Sequence, residues 1–283
     1  MWDQARDALG ETVGRVTTLL RSVTDPARPA VGDWNLGEVA MHLSQVWLAV
    51  PGLARADMSE VYEILPSAAQ TAAGSLVRDI RDLGDTTMLA VKSDPERDLH
   101  VLADRIEARA ARYLAEVEGH SPDAQRAWVV EGATVSLLTL TCHLLSETIM
   151  HGYDIARAAR QPWRIEPADA ALVLSEFFVK ILGALAPTAL VHSVWGANAT
   201  ATFDLRIRGG DRHHFVFNGG QLHIEDPSPH RRVDCHISAD PVALLLLLWG
   251  RRSQWRAIAR GQLVAWGRRP WLGPRLRAML QNP

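Results

Sequence analysis

The chain has 283 residues, 47% of them hydrophobic, and a formal net charge of −2. That length and apolar content suit one large domain or two modest ones with buried cores. The near-neutral charge excludes a global basic field for nucleic acid, and the two cysteines, Cys142 and Cys235, exclude a disulfide framework. The longest apolar run, Val242–Trp249, falls far short of the roughly 20 residues that span a bilayer. The start, MWDQARDALGETVGRV, carries acids where a secretory leader carries a basic segment and then an apolar one. A cytoplasmic protein with no membrane partner is expected. Lys92 and Lys180 are the only lysines among 30 Lys and Arg residues, a skew that points to a GC-rich coding sequence.

In chain order, residues 3–22 are amphipathic and stop before the polar loop RSVTDPARPAVGD. Asn35 reads as an N-cap and Glu38 completes a capping box. The helix that follows places Val39, His42, Val46 and Ala49 on one face. Helical stretches are expected at about 69–92 and 95–118, the second opening on Asp94-Pro95-Glu96, and at 134–160. Long helices with short connections predict a four-helix bundle over residues 1–162. Gln161-Pro162-Trp163 breaks the run, and a bridging helix at 167–185 opens the second domain, 163–283. There the period changes to two. Strands are expected at 201–207, 214–217, 221–225 and 233–237, with Asn218-Gly219-Gly220 as a turn. Asp240-Pro241 caps an apolar helix, a short strand falls near Leu263–Trp266, and a last helix near 271–281. The fold class is α+β.

The most informative stretch is TVSLLTLTCHLLSETIMHGYDIARAAR. At helical spacing, Leu137, Leu140, Leu144, Glu147, His151, Ile155 and Ala158 share a face. A carboxylate on such an aliphatic face costs several kcal/mol unless it is paired or neutral. A divalent cation removes that cost, because Glu147 and His151, at i and i+4, reach one ion. His42, inward-facing between Val39 and Val46, is the best third donor. His143, one turn before Glu147, competes, but Thr139 and Ser146 make its face more polar. Asp154, three residues after His151, is placed to orient that imidazole from behind. Three protein ligands leave a position open, as in catalytic sites, and two histidines with a glutamate suit Zn²⁺, with Fe²⁺, Ni²⁺ and Co²⁺ as alternatives. Tyr153 follows the ligand turn but points off its face.

At these residues the sequence resembles a known family. DWNLGEVAMHLSQVW, with Trp34 and His42, and SETIMHGYDIARA, with Glu147, His151 and Asp154, resemble the two metal-ligand segments of DinB-like proteins related to mycothiol-dependent maleylpyruvate isomerase. DCHISADPVALLLLLWGRRSQWRAIARGQLVAWG resembles the family's small α+β C-terminal domain, which is similar to sterol-carrier-type folds. The resemblance implies a DinB-like bundle holding a divalent metal on His42, Glu147 and His151, with mycothiol as co-substrate. It also implies a basic residue from the second domain that faces the site, for which Arg251 is the candidate by motif position. The tail RRPWLGPRLRAML and the loop DPSPHRR depart from the pattern and could reshape the cleft, so the resemblance does not by itself assign the isomerase substrate.

The expected function is therefore a metal- and thiol-dependent isomerase or S-transferase acting on a small-molecule electrophile. Metal-assisted hydrolysis is a variant of the same chemistry. The competing class is a carrier module for an apolar ligand, with Phe203, Phe215, Phe217, Leu244 and Leu248 as candidate lining. Eight arginines between residues 251 and 277, interleaved with Trp255, Trp266 and Trp271, form a local basic region. It reads as an interface or an acid-binding wall rather than a nucleic-acid site. Nothing in the sequence fixes the oligomeric state.

Overall fold

The computed structural model of the chain describes residues 1–65, 75–185, 191–192 and 194–280. The chain divides into two compact units, Met1–Ile165 and Glu166–Pro283.

In the first unit, α1 (Trp2–Ser22) packs on α5 (Leu99–Val117) and α6 (Leu137–Ala159). The helix α2 (Leu36–Arg55) packs on the same two and closes a four-helix bundle. Each helix has a physical start. The Asn35 side chain accepts from the Glu38 amide while the Glu38 carboxylate accepts from the Asn35 amide, so the expected capping box forms. Ser136 caps α6 through the Thr139 amide. Two short ribbons lead into the helices that carry the candidate ligands: β1 (Pro29–Val31) with β2 (Trp34–Asn35), and β3 (Gln125–Ala127) with β4 (Thr134–Ser136). The helices α3 (Ser59–Ile64) and α4 (Leu83–Ser93) lie against α2.

Three expectations fail here. The stretch at about 69–92 is not one helix. Residues 69–74 lie outside the described part, Val77 bridges to Val130, and a 3₁₀ turn at Ile80–Asp82 leads into α4. The Leu76 and Val77 amides donate to the Val129 carbonyl, a pairing across some 50 residues that overrides local helical preference. The next helix also starts later than Asp94-Pro95 suggests. Asp98 is its cap, accepting from the His100 and Val101 amides, while Asp94 instead receives Arg105. At the front of α6, residues 134–136 are strand rather than helix.

The second unit is a five-stranded sheet with helices, which completes the expected α+β class. The strands are β5 (Thr200–Ile207), β6 (Arg212–Asn218), β7 (Gln221–Glu225), β8 (Cys235–Ala239) and β9 (Leu263–Trp266). Their order is β7-β6-β5-β8-β9, with β5 and β8 parallel and the other neighbours antiparallel. Gly219 and Gly220 both have positive φ between paired Asn218 and Gln221, as a two-residue hairpin turn requires. The bridging helix begins as α7 (Pro167–Val173), widens into a π turn at Leu174–Val179 and ends as α8 (Lys180–Leu185). Asp240 caps α9 (Pro241–Leu248) through the Ala243 amide, and α10 (Gln254–Ala259) follows. The expected helix at 271–281 is mostly 3₁₀, Pro270–Arg275, before the single turn α11 (Leu276–Met279); Pro274 inside it denies the α-helical bond. Cys142 and Cys235 are buried and are not joined in a disulfide. Among the described residues no helix is long and apolar enough to cross a membrane.

One face of the sheet packs Phe203, Leu205, Phe215, Phe217 and Ile237 into the unit's core. The other carries a buried polar group, Asp204, which accepts two bonds from Arg212 at 2.6 and 2.8 Å and one contact from His236 Nδ1 at 2.5 Å. Burial pushes this carboxyl up, but the bonds from Arg212 and His236 outweigh it and hold it below the ordinary value. A depressed acid contributes stability above its unfolded value, about 4, and loses that contribution as pH falls through the folded value. Asp204→Asn is therefore expected to lower unfolding free energy by about 1–3 kcal/mol at pH 7. Urea melts should show the gap to wild type narrowing below about pH 4.

Candidate metal centre

His42 comes from the second turn of α2, and Glu147 and His151 are one turn apart on α6. The two helices pack directly, so the three side chains meet inside the bundle. Their donor atoms all lie within 4.8 Å of one another. His151 Nε2 is 3.1 Å from Glu147 Oε2, and His42 Nε2 is 3.5 Å from the same oxygen. The two imidazoles meet edge to face at 4.7 Å between centroids, and the Trp34 indole lies 5.2 Å from the His42 ring. The second carboxylate oxygen, Oε1, faces His143 Nε2 at 3.4 Å. Behind His151, Asp154 Oδ2 stands 3.6 Å from Nδ1 and is fully buried.

The electrostatics follow from burial and from these contacts. Burial alone would raise the Glu147 carboxyl, but hydrogen bonds from His143, His151 and His42 outweigh it and hold it well below the ordinary value. Burial likewise opposes charge on His151, yet Asp154 and Glu147 raise it to about 9. His42 goes the other way. Its burial dominates over the pull of Glu147, and it titrates below an ordinary histidine.

The donor set fits a divalent metal. Ligands about 2.0–2.1 Å from a tetrahedral zinc stand about 3.4 Å from each other, and the two N···O separations, 3.1 and 3.5 Å, bracket that edge. Two imidazoles and a carboxylate suit borderline cations such as Zn²⁺ rather than Mg²⁺ or Ca²⁺, which prefer all-oxygen cages.

Residues 2–156 match the model of the mycothiol maleylpyruvate isomerase N-terminal domain. The chain belongs to this family. Among solved structures, the mycothiol-dependent maleylpyruvate isomerase superposes with a TM-score of 0.51 at 10% identity, covering 94% of this chain and 92% of that one. A histidine-to-alanine mutant of the same isomerase gives the same values. At that identity the likeness speaks for the fold. Sterol carrier protein 2 from Yarrowia lipolytica (apo form) overlaps 26% of this chain and 66% of its own length at 23% identity, with a TM-score of 0.21, too low to carry an argument. No curated protein sequence matches.

In this member of the family the expected residues divide. His42, Glu147 and His151 come together. Arg251 lies in the second unit, just past α9, where its guanidinium donates to the Trp249 carbonyl at 2.6 Å and sits 5.7 Å from the Trp249 ring centre. Tyr153 has no contact with the three donors in the geometry above. Sequence reasoning underrated His143 as a partner for Glu147, because Thr139 and Ser146 suggested a wetter face; both are buried. It also passed over Gln45, three residues after His42 and therefore on the same side of α2. His42 and Gln45 both line a cleft of about 70 Å³ whose other walls come from α3, α4 and the residues around Leu76.

Gly152, beside His151, is held as glycine by packing: a Cβ there would fall inside the Trp163 indole, which donates to the Ile149 carbonyl at 3.1 Å. Gly152→Ala should therefore cost about 1–3 kcal/mol through overpacking, read as a lower melting temperature. Asp154→Asn should leave the fold intact and weaken zinc affinity about 10–100-fold, measured by competition with a chromophoric chelator.

Proposed function

We propose that the chain is a divalent-metal- and thiol-dependent isomerase or S-transferase acting on a small electrophile. Zinc is the assigned cation and mycothiol, the thiol in the family's description, the assigned co-substrate. The observation that carries this reading is the convergence of His42, Glu147 and His151 beside a cleft, a set of three protein donors among the described residues. When bound, the cation supplies a positive charge next to which a thiol loses its proton more readily.

The chain's own groups do the rest. Glu147 keeps one oxygen toward the donors and gives the other to His143. Asp154 faces His151 Nδ1, so Nε2 is the nitrogen left to the cation. Trp34 shields His42. The cleft holds the electrophile near that edge of the site. Arg251, in the second unit, is the residue to which the resemblance assigns the family's basic role, by its position after Trp249-Gly250. Collapse of the adduct after bond rotation returns an isomer, and persistence of the adduct leaves a thioether.

A second reading has its own observation. A cavity of about 230 Å³ in the second unit is lined almost wholly by apolar side chains, among them Phe215, Leu244 and Leu248. Phe203 and Phe217 are in the core instead, edge to face at 5.8 Å. A carrier role for an apolar ligand rests on this cavity.

Gently purified protein should hold close to one zinc per chain, and His42→Ala and His151→Ala should lose it. Zinc at about a hundredfold over its dissociation constant should raise unfolding free energy by about 2.7 kcal/mol. Turnover of a small electrophile should need both zinc and mycothiol. Metal-free protein that binds fatty acids and catalyses nothing would move the assignment to the carrier reading.

A further inference from the structure

The wall of the cleft beside His42 is uncharged. It is built from Val46, Ala49, Val61, Ile64, Leu76 and Leu83, with Gln45, Thr86 and Thr87 as its polar members beside His42 itself. Among the described residues no lysine or arginine lines it, in a chain with 30 of them. Residues 66–74, PSAAQTAAG, lie outside the described part and contain no ionisable side chain.

Gln45 adds a direction. Its Nε2 donates to the Ala90 carbonyl at 2.6 Å. Ala90 is in the last turn of α4, where carbonyls lack a backbone partner within the helix; its oxygen also accepts from Ser93 Oγ at 2.7 Å. That bond fixes the amide's rotation, because only the nitrogen end can face a carbonyl. The oxygen end, Oε1, is then buried and has no hydrogen-bond partner among the described residues. A buried acceptor of this kind is left by folds mainly where a ligand or water satisfies it.

We propose that this cleft selects an uncharged, largely apolar electrophile carrying a hydrogen-bond donor for Gln45 Oε1, and disfavours carboxylates. The inference rests on the metal- and thiol-dependent reading of the adjoining triad. It departs from the substrate in the family's description, since a keto acid such as maleylpyruvate would bring anionic oxygens against a wall that offers no counter-charge. Specificity then comes from shape and from one amide, and an unpaired acceptor discriminates sharply between ligands that have the matching donor and ligands that lack it.

The test uses three saturated probes of one shape: butyramide, 2-pentanone and butyrate. They are titrated by ligand-observed NMR into zinc-loaded protein with excess 2-mercaptoethanol, so that all three meet the same metal environment. Butyramide is expected to bind at least tenfold more tightly than butyrate, with 2-pentanone between them. In Gln45→Met the amide should lose its margin over the ketone, while the ketone keeps its margin over the acid. Thr87→Arg, at a partly exposed wall position, should raise butyrate affinity. Zinc stoichiometry and melting temperature confirm that each variant is folded. Butyrate binding as tightly as butyramide, or no binding by any of the three, overturns the proposal. The expected order without any thiol-dependent turnover would instead sink the enzymatic reading and leave the cleft's selectivity standing.

Discussion

A carboxylate inside an apolar helical bundle is the constraint around which the first unit is organised. Glu147 is nearly buried on α6, a helix with buried residues on every side. Left alone, such a group would take up a proton or destabilise the bundle by several kcal/mol. Three imidazoles within 3.5 Å prevent both outcomes. They divide its oxygens, one to His143 and one to His42 and His151, which fixes the carboxylate's rotation. Asp154 completes the arrangement from the far side of His151. The consequence is linkage. His151 Nε2 is the nitrogen that touches Glu147, so a cation bound there would compete with a proton for a single lone pair.

The helix α2 meets this constraint and shapes the space beside it. The Asn35–Glu38 capping box sets where α2 begins, and that start sets which side of the helix His42 occupies. Gln45, three residues on, falls on the same side and ties α4 to α2 through Ala90. Near the other end, Gly52 lets the backbone of Asp57 and the Met58 sulfur approach closely, where a Cβ would meet both at 2.9 Å. That approach folds the chain straight back into α3, which supplies Val61 and Ile64 to the cleft. The ligand, the acceptor and the apolar wall thus follow from one helix and the turn at its end.

The stripe containing Glu147 and His151 is legible in the sequence because a charged pair at i and i+4 stands out against Leu137, Leu140, Leu144 and Ile155. His42 is legible for the same reason on α2. The role of His143 is not. Thr139 and Ser146 read as signs of solvent, yet both are buried, and Thr139 closes the helix cap with Ser136 at 2.9 Å. Hydroxyls in helices satisfy themselves on nearby backbone or side-chain groups, so they mark burial and exposure equally poorly. The start of α5 shows a different blind spot. Asp94-Pro95 and Asp98 both offer capping chemistry, and the choice falls to Asp98 because Arg105 and the Arg97 side chain hold the Asp94 segment against the end of α4. The bridge between Val77 and Val130 lies beyond local pattern altogether, since neither segment carries a sign of the other. The alternating strands of the second unit were readable, because a sheet with one apolar face writes its period into the chain. The π turn at Leu174–Val179 was not, since its residues are as good helix formers as their neighbours.

Each unit contains an apolar volume, and the chemistry around each differs. The cavity of the second unit has Gln254 and Arg277 as its polar lining, and neither is a nucleophile or a proton carrier near neutral pH. Such a lining offers room for a ligand but no group that would transform it. The cleft of the first unit is smaller, but one of its walls is His42, a member of the triad. Groups whose protonation is moved by burial and by specific charged partners mark sites of reaction more often than sites of storage. The displaced titrations of Glu147, His42 and His151 cluster at the cleft, which favours it over the larger cavity as the site of any reaction. The positive charges of the first unit support the same division. Arg21 pairs with Asp104, Arg105 with Asp94 and Arg112 with Glu116, all on the bundle's surface. Those pairs engage three of the unit's arginines, and no lysine or arginine is among the described residues that line the cleft.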